Sequence, residues 1–281
     1  MADDTVAESL QDALATRFGE RLPVDAELGG LAELAAIAAH RTHRRYAPRP
    51  VADDLVRLLC ACALSAPSKS DLQQSDILIV RDATIRAAIA ARLPDNPQVG
   101  LAPVFLVFLA NGRRLPLIAS ARGKPFPNDH LDLFFNAVSD CSIALATFIR
   151  AAEAVGLGCC PISAIRDHAA AVSELLHLPQ RVIPVAGMCL GWPSERGHIS
   201  PRLGLAATVH VDRYSEGDPL ADIDVYDRRR NTGRPPWKQR NPERWGEAAF
   251  YGWSEDKARQ YAEPLRTDFG AFVRRKGFTL D

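Results

Sequence analysis

Apolar positions along the chain follow two rhythms, one helical and one strand-like. Between residues 53 and 63, Leu55, Leu58, Leu59 and Cys62 share one face at helical spacing, with Asp53-Asp54 able to start the helix and Pro67 to close it. Residues 31–39, 85–91 and 169–177 read as further helices, preceded by a mobile N-terminal helix. The run VFLVFL at residues 104–109 is apolar at every position and rich in β-branched and aromatic side chains, which predicts a central strand buried on both faces. Residues 77–80, 182–190 and 206–211 read as the other strands. The longest apolar stretch, 131–157, carries Asp132, Asp140, Arg150 and Glu153, so it reads as a buried core helix and not as a membrane span. Gly156-Leu157-Gly158 supplies its C-terminal cap. Helices outnumber strands and do not alternate singly with them, which predicts an α+β fold rather than a doubly wound sheet.

Composition narrows the classes. The chain has 281 residues, 34 basic against 34 acidic side chains and 47% hydrophobic residues, which excludes disorder and fibrous repeats. A balanced charge argues against a dedicated nucleic-acid or anionic-membrane binder. The first 30 residues begin acidic and lack a signal-peptide pattern, and the six cysteines do not form a disulfide framework, so a cytoplasmic location is expected. No zinc spacing occurs, and no metal is expected. Composition shifts only after Tyr226, where Arg, Pro and Trp accumulate. The expected division is an N-terminal extension (1–30), one domain (31–224) and a C-terminal arm (225–281).

Several segments carry chemistry. His40-Arg41-Thr42-His43-Arg44-Arg45-Tyr46, between a helix and two prolines, concentrates cationic forks and a hydroxyl suited to a phosphate; a solvated basic turn is the plain alternative. Ser68-Lys69-Ser70-Asp71, in a helix-to-strand loop, mixes donors and acceptors as the edge of a planar heterocycle requires, though an ordinary connecting loop has the same composition. Gly156-Leu157-Gly158-Cys159-Cys160-Pro161 begins like a dinucleotide-binding turn but has Pro161 in place of the third glycine, and its vicinal cysteines read as small buried hydrophobes rather than a redox pair. Gly187-Met188-Cys189-Leu190-Gly191 has nucleophile-elbow spacing, but a turn follows it where an elbow needs a helix. Between residues 226 and 246 seven basic side chains (Arg228, Arg229, Arg230, Arg234, Lys238, Arg240, Arg244) face two acidic ones and interleave with Trp237 and Trp245. That pattern suits nucleotide or single-strand binding, but an arm packing on a partner subunit is the preferred reading.

Taken in order, these segments resemble the nitroreductase family, in particular its NADPH-dependent flavin reductase and oxygen-insensitive nitroreductase branch. His40–Tyr46 is similar to the family's HRSxRxF, Ala66–Gln73 to its APSxxNxQ, and Gly156–Gly158 with Pro161–Arg166 to its GLG segment. Met188–Pro193 followed by Ser200-Pro201-Arg202-Leu203 and a Val209-His210 to Tyr214 stretch resembles the branch's CLGWP, KPRLP and VHENxY. The resemblance implies an α+β sandwich, a short central sheet flanked by helices, in a domain-swapped homodimer with FMN held by both chains. It places His40, Arg41, Thr42, Arg44 and Arg202 at the FMN phosphate and ribityl, and Ser68, Lys69, Ser70 and Asp71 at the flavin's polar edge, with Asn96 and Gln98 as further candidates. Pro161, Ile162, Ser163 and Ala164 would cover the ring. Ser200 replaces the branch's lysine and Gly204 its second proline, which bears on phosphate binding and on the choice between NADPH and NADH.

The expected function is therefore an FMN-dependent oxidoreductase that carries hydride by ping-pong from NADPH or NADH through flavin N5 to a nitroaromatic, quinone or flavin acceptor. Positioning and electrostatics are the protein's contribution, and no side chain is expected to act as catalytic acid or base. Its partners are a second copy and a small-molecule acceptor, with neither nucleic acid nor membrane. Two other classes compete: a non-catalytic flavin-binding protein on the same fold, and a cysteine hydrolase using Cys189.

Overall fold

The computed structural model describes residues 2–232 and 238–281. In chain order the elements are α1 (Ala2–Phe18), α2 (Leu31–Ala38), α3 (Asp53–Leu64), β1 (Ser75–Val80), α4 (Ala83–Ala91), α5 (Gln98–Leu101), β2 (Val104–Asn111), α6 (Arg114–Ala121), α7 (Leu131–Ala154), β3 (Gly158–Ile162), α8 (Ala169–Leu175), β4 (Val182–Gly191), α9 (Pro219–Asn231), α10 (Pro242–Trp245), α11 (Trp253–Tyr261) and α12 (Phe269–Arg275). They form two compact units, the first from residues 1–41 and 198–265, the second from 42–197 and 266–281.

The second unit is built on a four-stranded antiparallel sheet of order β1-β2-β4-β3. Strand alternation sends Leu106, Phe108 and Ala110 of β2 to one face and Phe105, Val107 and Leu109 to the other. Both faces are covered, as an all-apolar strand requires. On the first face lie α3 and α7 through Val56, Leu59, Ala137, Cys141 and Phe148. The Phe108 and Phe148 rings meet edge to face at 5.5 Å, a geometry worth about 0.5–1.5 kcal/mol beyond the area buried. On the second face lie α4, α5 and α8 through Ile89, Val99 and Val172. The fold is the expected α+β sandwich. The β2–β4 register shifts between Phe108, opposite Ala186, and Leu109, opposite Pro184. Pro184 has no N–H to give the ladder, and the carbonyl of the skipped residue, Val185, accepts from Arg166 at 2.5 Å.

One expectation needs correction. The fourth strand is Gly158–Ile162, not residues 206–211, where a short 3-10 turn at Leu205–Ala207 precedes irregular chain. Val209 and Val211 are exposed, so nothing rewards that segment for joining a sheet. Of the expected C-terminal arm (225–281), residues 266–281 contribute to this core: Phe272, Val273 and Phe278 are buried in the same cluster as Phe108.

The first unit contains a separate core. Ala7, Leu10 and Ala13 of α1 bury against Leu31 and Ala38 of α2. Further along, Tyr226 and Trp253 stack edge to face between α9 and α11. The N-terminal helix is thus packed against α2.

Candidate functional site

The Ser68–Gln74 loop of the second unit is shaped by one buried carboxylate. Asp140 lies on the inner face of α7, 4% exposed. It accepts the Ser68 hydroxyl at 2.6 Å and the Lys69 and Gln74 backbone N–H groups at 3.1 and 3.0 Å. The Ser68 oxygen in turn accepts the Gln73 N–H at 2.7 Å. Three donors meet the requirement that a buried charge be compensated. They also hold Ser70, Asp71 and Gln73 in the left-handed region at φ of 50°, 56° and 52°, a conformation that non-glycine residues adopt at a cost of order 1 kcal/mol each. The loop consequently presents Lys69, Ser70 and Asp71 to solvent. The Lys69 ammonium stands 3.9 Å from Asp132.

A cavity of about 460 Å³ opens beside this loop, lined by Ser68, Asp71, Gln73, Gln74, Arg114 and Asp140 among others. Gln74 is completely buried, and both atoms of its side-chain amide lack a hydrogen-bond partner among the described residues. An orphaned amide beside an exposed, strained polar loop is chemistry that fits a planar ligand rich in donors and acceptors.

Of the remaining candidates in the second unit, Thr42 bridges to Cys159, and the His43 N–H donates to the Cys159 carbonyl at 2.9 Å. The approach is close because Gly158 has no side chain: a Cβ there would lie 2.7 Å from both His43 and Pro193. Arg44 is exposed. The Tyr46 hydroxyl donates to the His43 carbonyl at 2.6 Å, and burial raises its pKa far above the ordinary phenol value, so it stays neutral. Pro161 and Ser163 are exposed at the end of β3 and Ala164 is half-buried, whereas Ile162 points into the core. The buried Gln98 amide donates to Asn96 at 3.2 Å.

The first unit holds His40, Arg41 and Arg202. The Arg41 guanidinium donates to the Ala39 carbonyl at 2.8 Å. The exposed side chain of Arg202 folds back on the Ser200 and Pro201 carbonyls at 3.3 and 3.1 Å. Arg17, in the last turn of α1 and 7% exposed, ties these stretches together. Its guanidinium donates to the carbonyls of Ala38 (2.9 Å), His40 (2.8 Å) and Ser200 (3.1 Å), and its own carbonyl accepts the Arg202 N–H at 2.6 Å.

The cysteine readings resolve structurally. Cys159 and Cys160 point to opposite faces of β3 and bury in different clusters, so the vicinal pair does not face itself. The whole Gly187–Gly191 stretch lies inside β4, with no elbow. Cys189 is buried, its thiol donates to the Gln98 carbonyl at 3.4 Å, and burial pushes its pKa well up. A thiol without access or thiolate character is no nucleophile. Among the described residues no cluster of His, Cys, Asp and Glu could hold a metal.

The C-terminal basic charges are largely engaged within the first unit. Arg228 pairs with Asp224, Arg240 with Asp256 and Arg244 with Glu263, while Arg230 donates to the Tyr226 hydroxyl at 3.1 Å. Arg234 and Trp237 lie outside the described residues.

The sequence matches the model described as "Nitroreductase family" over residues 37–192 and that described as "Nitroreductase family, C-terminal domain" over 200–281. The chain belongs to the nitroreductase family. It is 33% identical over 195 residues to FMN reductase (NAD(P)H) of Bacillus subtilis, covering 68% of this chain and 78% of that protein. It is 34% identical over 191 residues to NADPH-flavin oxidoreductase of Vibrio harveyi, covering 68% and 78%. Among solved structures, B. megaterium NfrA2 superposes with a TM-score of 0.78 at 29% identity, over 89% of this chain and 98% of that one. The V. harveyi NADPH:FMN oxidoreductase complexed with NAD+ gives 0.73 at 29% identity, over 87% and 97%.

Arg17 and Asp140 escaped the sequence reading. Asp140 had a signal: it shares the helical face of Leu133, Ala137 and Ala144, where an acid needs partners. Arg17 had none, since a basic residue in a helix's last turn is ordinary.

Proposed function

We propose that this chain is an FMN-dependent oxidoreductase that passes hydride from NADPH or NADH, by a ping-pong route, to nitroaromatic, quinone or flavin acceptors. When bound, FMN supplies the hydride-accepting and hydride-donating centre at N5. The observation that carries the reading is the Asp140-held loop, whose strained backbone turns Lys69, Ser70 and Asp71 outward beside the unpartnered Gln74 amide. Stored strain of this kind clusters at ligand sites. The names of the relatives, FMN reductase and NADPH-flavin oxidoreductase, support the same cofactor and donors.

In this reading His40, Arg41, Thr42, Arg44 and Arg202 hold the phosphate and ribityl side by charge-assisted bonds. Ser68–Asp71, with Asn96 and Gln98, serve the polar edge of the ring. The Lys69 ammonium favours negative charge on its pyrimidine side. Pro161, Ser163 and Ala164 cover the ring with their side chains, and Ile162, turned into the core, with its backbone. Buried thiols and a neutral Tyr46 leave the protein's work as orientation and electrostatics. The active form is a homodimer located in the cytoplasm: α7 leaves Leu131, Phe135 and Ile143 exposed on its outer face, a stripe suited to a second copy.

An absorption spectrum of the purified protein, taken before and after anaerobic NADPH and then NADH, tests the reading. A flavin band that bleaches is expected, and Arg41→Ala with Arg44→Ala should purify colourless. A band that persists with both donors would reduce the protein to a flavin binder.

A further inference from the structure

The N-terminal helix has no part in the reading above, yet its last turn reaches the residues assigned to the phosphate. The family match begins at residue 37, beyond α1. Within the first unit, the Arg17 guanidinium donates to the Ala38, His40 and Ser200 carbonyls. The Arg17 carbonyl accepts the Arg202 N–H at 2.6 Å. One residue thus grips the chain on both sides of the gap between His40 and Arg202, by side chain and by main chain. Arg17 as a whole is 7% exposed. A planar fork with five donors can bridge several carbonyls at fixed angles, which an ammonium cannot do. Ser200 brings no charge of its own to this stretch, and the Arg17 cation stands 3.1 Å from its carbonyl.

We propose that Arg17 is a positioning residue for phosphate recognition: α1 clamps His40 and Ser200–Arg202 into the arrangement in which His40, Arg41 and Arg202 meet the FMN phosphate. The inference rests on the assignment of those three residues to the phosphate. Arg17 does not touch the ligand; it fixes the backbone of the groups that do.

The test compares FMN with riboflavin, which lacks the phosphate, by fluorescence titration of the full-length protein stripped of flavin. Arg17→Met should weaken FMN binding about 10- to 100-fold, the range expected for losing bonds to a charged group, and leave riboflavin binding unchanged. Unchanged FMN affinity, or an equal loss for both ligands, would overturn the proposal, the second outcome marking a merely structural helix. Arg202→Ala separates the two levels of the argument. If that variant keeps the preference for FMN over riboflavin, the phosphate assignment itself is wrong; if it loses the preference and Arg17→Met keeps it, only the role of Arg17 falls. Should Arg17→Met not fold, amide exchange of the unaltered protein decides. FMN should protect residues 14–19 more than riboflavin does, and equal protection would count against the clamp.

Discussion

Asp140 on α7 accepts the hydroxyl of Ser68 at 2.6 Å, 72 positions away in the chain, and through that bond a core helix dictates the shape of a surface loop. Asp140→Asn keeps the volume but turns an acceptor of three bonds into a partial donor facing donors. The loop should relax toward ordinary backbone angles, with a stability loss of about 2 kcal/mol, read as a lower urea midpoint. Flavin affinity should drop as well, and the Ser68→Ala variant should reproduce most of that drop.

Gly158 should be intolerant of any side chain. A Cβ would come within 2.7 Å of His43 and Pro193, and such overpacking costs about 1–3 kcal/mol. Gly158→Ala should lower the melting temperature, while Gly29→Ala, with nothing within 4 Å of the new carbon, should leave it unchanged.

Thiol labelling should divide the cysteines sharply. Cys62 is exposed, whereas Cys141, Cys159, Cys160 and Cys189 are buried. Burial pushes the Cys141 thiol up to about 12 and raises Cys160 and Cys189 as well. Brief iodoacetamide treatment of the native protein at pH 8, followed by mass spectrometry, should modify Cys62 and spare those four. Cys189→Ala should keep its flavin and its NAD(P)H oxidation.

Asp129 should give the stability an acid limb. Both its oxygens accept from Arg181 at 2.6 Å, and these bonds hold its pKa below the usual carboxylate value. A depressed carboxylate contributes stability above its unfolded pKa and loses it as pH falls through the folded value. Asp129→Asn should therefore cost about 1 kcal/mol at pH 7, discounted for partial exposure. The gap between the two proteins should close below roughly pH 4, as measured by urea denaturation across pH.

The outer stripe of α7 offers a check on assembly. Phe135→Glu places a charge on a residue that is 65% exposed in a single chain. Light scattering should show the proposed dimer weakened while the circular dichroism spectrum is unchanged.

What the sequence made legible follows from how each feature is encoded. β2 could be read because six consecutive apolar residues have no other economical home, and its burial on both faces came with it. α7 could be read because its apolar content needs a core while its charges refuse a bilayer. β3 could not, since Gly-Cys-Cys-Pro-Ile carries little β-propensity and becomes a strand only through pairing with β4. Residues 206–211 showed the converse, strand-like composition without a neighbour to pair with. At the candidate site the polar loop and the cationic segments were visible as local composition. The contacts from Asp140 to Ser68 and from Arg17 to Ser200 span 72 and 183 positions, a separation that local composition does not encode.

The burial of Phe272, Val273 and Phe278 alongside Phe108 also constrains how the protein is made. The Phe278 ring occupies the space in front of Gly112, and the Arg181 N–H donates to the Lys276 carbonyl at 2.6 Å. While the ribosome is still translating codon 265, β1 to β4 are all available to pair and α3 and α7 to pack on them, yet the part of that face filled by Phe272, Val273 and Phe278 lacks its cover. Nascent chains must therefore wait, with that part of the core open to chaperones or to one another, until the segment beginning at Arg266 has been delivered.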